Sequence, residues 1–142
     1  MTDLYADSFQ VIGKTDGQFD NISRIELQSE NSKIVIDINT YIYPIKENGR
    51  YSIVFKNELS TEPMDKAAHW HPSYLKNSDN VTGFEYIMCG KVYHYEEKAE
   101  AHRATIYISF GGLLMRLEGE LRILSQIHKA PNNVYFLMRE VK

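Results

Sequence analysis

Three groups of side chains in this chain have the chemistry for a reaction or a metal site. His69-Trp70-His71 sets two imidazoles at i and i+2, on one side of an extended segment. Zinc takes three or four protein ligands, and no third partner stands nearby in sequence. His94, His102 and His128 could join them only through folding. Ser109 precedes Phe110-Gly111-Gly112, but a nucleophile elbow needs glycine on both sides of its serine. Carboxylates are plentiful, yet none stands beside a histidine or nucleophile at a spacing that fixes geometry. The reading is a non-catalytic chain with no metal and no cofactor, and His69 and His71 are polar aromatics of a loop. Cys89 is the single cysteine, which excludes an internal disulfide and cysteine-based metal sites. It reads as a small, inert apolar residue.

Surface chemistry offers two further readings. Tyr41, Tyr86, Tyr93, Tyr95, Tyr107 and Phe110 could stack bases, with Lys91, Arg103 and Arg116 supplying charge. A net charge of −3 and an isoelectric point near 5.9 oppose tight nucleic-acid binding, which needs a concentrated positive surface. Independent binding of single strands therefore stays as the alternative function, and weak contact with them inside a larger assembly as a secondary call. The other reading is a protein interface. Arg116 follows Leu114 and Met115, so its guanidinium is either a satisfied charge at a barrel end or an interface anchor. Arg, Tyr and Met are enriched where proteins meet.

The segment around Arg116 is the most informative of the chain. Ile106, Ile108 and Phe110 alternate with Tyr107 and Ser109, as a strand with one buried face requires. Gly111 and Gly112 interrupt it. A second alternation places Leu113, Met115 and Leu117 against Leu114, Arg116 and Glu118. Two glycines weaken a strand, so they mark a sharp bend, a bulge, or a close approach by another chain. A barrel corner and an interface are compatible there. Gly111, Gly112, Leu113, Leu114, Arg116, Tyr93 and Tyr107 form the candidate partner interface.

The elements that must position these residues are strands. Leu4–Ile12 reads as the first, closed by a turn at Gly13–Gly17. Ser23–Gln28 alternates, and Ser29–Ser32 turns. Ile34, Ile36, Ile38 and Ile42 share a face until Pro44 stops the run. Asn48-Gly49 signals a hairpin whose return is Tyr51–Phe55. From Lys56 to Gly83 the pattern dissolves into a long exposed loop, with a short helix over Met64–His69. Phe84–Tyr95 is a long aromatic strand bent at Gly90, and Glu96–Arg103 is a charged connection. Leu121, Leu124 and Ile127 recur at helical spacing; Pro131–Asn133 turns; Val134–Arg139 is the last strand. About eight strands without a βαβ rhythm predict an antiparallel all-β barrel or sandwich.

Composition agrees. A chain of 142 residues suits one domain over 1–142, burying roughly 68% of its unfolded surface. Ten tyrosines suit half-buried sheet faces. One cysteine fits a reducing compartment. The start, with Asp3 and Asp7, does not read as a signal peptide. No apolar run approaches the ~20 residues of a membrane helix, so no membrane is expected as partner.

Phe84–Tyr93 and Tyr107–Gly119 carry a family resemblance. The chain resembles the small common subunit, conventionally numbered eight, of the eukaryotic nuclear RNA polymerases I, II and III. Asp7, Phe9 and Val11 match the family's opening strand, and Phe19–Ile25 its second. Asp37–Pro44 match its third, and Val134–Met138 its last. The resemblance implies an eight-stranded antiparallel barrel similar to the oligonucleotide-binding fold, of Greek-key type. It implies a non-catalytic assembly subunit held mainly by the largest polymerase subunit and its neighbours, in the nucleus and nucleolus.

Overall fold

Period-two alternation builds the walls of this protein. In one strand Ile34, Ile36 and Ile38 are fully buried, while Lys33, Val35, Asp37 and Asn39 are half-exposed. The computed structural model describes residues 3–16, 21–57, 83–129 and 133–141. In chain order these form β1 (Asp3–Asp16), β2 (Ile22–Gln28), β3 (Lys33–Asn39), β4 (Arg50–Lys56), β5 (Tyr86–Lys98), β6 (Arg103–Phe110), β7 (Leu113–Glu120), α1 (Leu121–His128) and β8 (Val134–Glu140). A single 3₁₀ turn, Ala99–Ala101, joins β5 to β6.

The strands close into one barrel in the order β1-β2-β3-β7-β6-β5-β8-β4, and every neighbouring pair is antiparallel. The eight-stranded antiparallel barrel with one short helix is therefore observed, and it is consistent with the oligonucleotide-binding type. Closure depends on the two longest strands changing partners midway. β1 pairs with β4 over Asp3–Gln10 and with β2 over Gln10–Asp16. β5 pairs with β8 over Tyr86–Gly90 and with β6 over Lys91–Lys98. Each carries a bulge, at Ile12 and at Tyr93, which sharpens local twist. At Gly90 a Cβ atom would overlap the Ser109 carbonyl oxygen and sit 2.6 Å from the Phe110 ring. Glycine is required there by close approach of the neighbouring strand.

Side chains fill the interior. Phe9, Tyr51, Phe55 and Phe136 are essentially fully buried, and the Phe55 and Phe136 rings meet edge-on at 5.6 Å. This packing rules out an open barrel made for a small ligand. Helix α1 lies over one end, with Leu124 and Ile127 buried and His128 stacked on Tyr95 at 4.1 Å. The 3.6-residue period of Leu121, Leu124 and Ile127 announces it.

Several sequence expectations change. Gly13 to Asp16 are not a turn but the end of β1, because the Ile12 bulge restores register with β2. Ile42 leaves the buried face and is 65% exposed, since β3 ends at Asn39. The Asn39 carboxamide oxygen accepts the backbone N–H groups of Tyr41 and Ile42 and turns the chain before Pro44 is reached. Asn48 does adopt a left-handed φ of 63°, but β3 and β4 do not pair as a hairpin. β4 crosses to lie between β1 and β8. Lys56 is a buried β4 residue rather than the start of an exposed loop. The Glu96–Arg103 connection is mostly strand, since β5 runs to Lys98. The Met64–His69 helix and most of the 56–83 loop lie outside the described residues. No helix among the described residues is long and apolar enough to cross a membrane.

Candidate partner interface

The candidate residues gather on the outer wall formed by β5, β6, β7 and β3. Period two decides which side chains point outward. Leu114 and Arg116 alternate with the buried Met115 and Leu117, so they lie on the outside of β7. Ladder register then sets His94 opposite Tyr107, Tyr107 opposite Arg116, and Arg116 opposite Val35. A row crosses four strands.

Within this row the contacts are specific. Tyr93, the bulged residue of β5, is 54% exposed, and its ring tilts towards Tyr107 at 6.0 Å. The His94 ring lies 5.2 Å from the same tyrosine, and its Nε2 lies 2.9 Å from Glu96. Arg116 donates from Nε to the Tyr107 hydroxyl at 3.4 Å, and its Nη1 is 4.0 Å from Glu118. The Tyr107 bond, more than any other influence, raises the guanidinium's pKa further. Arg116 is thus held by its neck.

At the wall's tip Gly111 and Gly112 form a two-residue hairpin loop between the paired Phe110 and Leu113. Their φ values are 64° and 102°, a region favoured by glycine, and the Gly112 N–H donates to Ser109 Oγ at 3.3 Å. Beyond the glycine itself and its two chain neighbours, no heavy atom of the described residues lies within 4 Å of a Cβ built at either one. The pair neither bends a single strand nor accommodates a close neighbour within the chain; it reverses the chain between two strands. Leu113 packs against the core, whereas Leu114 is 40% exposed.

Sequence reasoning missed Asp37. Its Oδ2 accepts the Leu114 backbone N–H at 3.1 Å, and its Oδ1 accepts Arg24 Nε at 3.0 Å. The β3–β7 ladder stops at Ile36–Met115, and this carboxylate continues the connection. The only sequence signal was an acid between isoleucines on an outward position.

The base-stacking set is divided, since Tyr93 and Tyr107 meet beside Arg116 but other members lie elsewhere. Tyr86 and Phe110 are core residues, and the Tyr86 hydroxyl accepts the Asn39 N–H. Tyr95 is occupied by His128 and Glu97. Cys89 is half-buried, and burial raises its thiol pKa. Among the described residues no three His, Cys, Asp or Glu side chains gather for a metal; His69 and His71 lie outside them.

The sequence pattern of the family described as RNA polymerase Rpb8 matches residues 6–140. The Saccharomyces cerevisiae subunit RPABC3 of DNA-directed RNA polymerases I, II and III is 32% identical, over 96% of this chain and 97% of that one. A probable RPABC3 subunit of Caenorhabditis briggsae is also 32% identical, over 96% and 95%. Subunit 8B of the Arabidopsis thaliana polymerases II, IV and V is 29% identical, over 97% and 96%.

Proposed function

Because the chain belongs to the RNA polymerase Rpb8 family, we infer that it is a non-catalytic structural subunit of DNA-directed RNA polymerases, shared by polymerases I, II and III. The observation that carries this is a match running from residue 6 to residue 140, from within β1 to the end of β8. We place the chain in the nucleus, nucleolus included, as one domain over residues 1–142. Its main partner on this reading is the largest polymerase subunit, with neighbouring subunits at the rim. The outer wall carrying Tyr93, Tyr107, Leu114, Arg116 and the Gly111–Gly112 tip is the surface offered. The exposed Tyr93 and Leu114, with the half-exposed Tyr107 and Arg116, over a filled barrel support it.

The test is affinity purification of the tagged chain from native extract, with identification of the bound chains. The expected result is recovery with the largest subunits of all three polymerases. Recovery of the chain alone would overturn the assignment. Weak contact with single-stranded nucleic acid inside the complex is the subsidiary proposal. Titration of the isolated protein with fluorescent oligonucleotides at low salt tests it, and no binding removes it.

A further inference from the structure

We propose that Arg116 is the anchor of the outer wall and that it receives a carboxylate from an Asp or Glu side chain of the polymerase subunit seated there. This rests on the assembly reading above and names the chemistry the partner brings. The guanidinium is positioned before any partner arrives. Its Nε is held by the Tyr107 hydroxyl, and Tyr107 is braced by the rings of Tyr93 and His94. Glu118, the guanidinium's ionic neighbour among the described residues, stands at 4.0 Å, the outer limit of an ion pair, and the Arg116 side chain keeps 42% of its surface. A fork steadied at its base by a long hydrogen bond, with Nη1 only distantly paired, suits bidentate capture of a planar anion. Val35 on one side and Tyr93 and Leu114 nearby provide apolar surface that would shed water when covered.

Charge decides between a carboxylate and a nucleic-acid phosphate. Glu96, Glu118 and Asp37 share this wall with Arg116, and Arg24 is already paired with Asp37. Lys33 stands opposite Glu118 and Lys91 opposite Ser109, so a phosphate chain laid along the wall would cross these carboxylates as well as its cations. A single carboxylate faces Glu118 and Glu96 as well, but it brings one charge to the guanidinium where a nucleic-acid strand brings a row of them. The wall therefore fits a protein segment with one acid flanked by apolar residues.

The experiment uses polymerase purified from cells whose only copy of this chain carries Arg116→Lys. Treatment with a water-soluble carbodiimide activates carboxylates. A contacting lysine amine then forms an amide, and the activated oxygen leaves on the urea. Peptide mapping should find the introduced amine joined to an Asp or Glu of another polymerase subunit. Arg116→Glu should lower retention of the chain in salt-washed polymerase about tenfold or more, while its isolated barrel melts as a folded protein. A link confined to Glu118, no link, or full reactivity of the introduced amine towards an acylating reagent in assembled polymerase overturns the proposal. So does oligonucleotide binding that Arg116→Glu abolishes without any protein link. If the unaltered chain itself is absent from polymerase, the assembly reading falls first, and that outcome is distinguishable from the rest.

Discussion

Glycine stands at Gly90, Gly111 and Gly112 for two different reasons, and substitution separates them. At Gly111 and Gly112 the requirement is a positive φ, with open space around the missing side chain. Gly111→Ala should cost about 1–2 kcal/mol in chemical denaturation, from backbone strain alone. At Gly90 the Cβ has nowhere to go. Gly90→Ala should therefore destabilise more than Gly111→Ala, and equal losses would refute the close-packing account. Asp37→Ala removes an acceptor from both Leu114 N–H and Arg24, with an expected loss of about 1–3 kcal/mol in the same measurement. Tyr95 gives a pH signature. Burial first, then its hydrogen bond to Glu97, pushes its pKa up to about 12. A raised phenol favours the folded state while protonated. Its stabilisation is complete below pH ~10 and is lost as pH climbs towards about 12. Tyr95→Phe should flatten the alkaline fall in stability and remove one late-titrating phenol from the ultraviolet titration.

At the scale of elements, α1 holds its place by packing. Eight residues are too few for an independently stable helix, so Leu124 and Ile127 must anchor it. Leu124→Ala should cost about 2–5 kcal/mol, read as a lower denaturation midpoint. Most elements were legible where one mechanism dominated. Ile34, Ile36 and Ile38 showed β3, and the alternation around Tyr107 and Arg116 showed β6 and β7 and their outward faces. What was illegible depended on a remote partner. Gly13–Asp16 has turn composition, yet a ladder with β2 holds it extended. Asn48-Gly49 turns as its residue types predict, but which strand receives β4 is set by barrel closure and not by the turn. The site divides the same way. Gly111, Leu114 and Arg116 announced themselves in one stretch, whereas Asp37 and His94 became relevant only when β3 and β5 were laid alongside.

For the molecule as a whole, β4 is the strand on which closure turns, lying between β1, the first strand, and β8, the last. Synthesis from one end therefore leaves β4 with a bare flank until residues 134–140 have emerged from the ribosome. Wherever the other seven strands pair before β8, they form an open sheet with Ile53 and Phe55 lying beside an unfilled slot. Such an edge invites strands from other molecules. A version truncated after Asn133 should aggregate, while a synthetic peptide spanning Val134–Glu140, added during refolding, should rescue soluble protein. Light scattering with and without the peptide measures this. A barrel that closes only when this one stave, β8, slots in should yield more soluble product where the unfinished sheet is shielded until then.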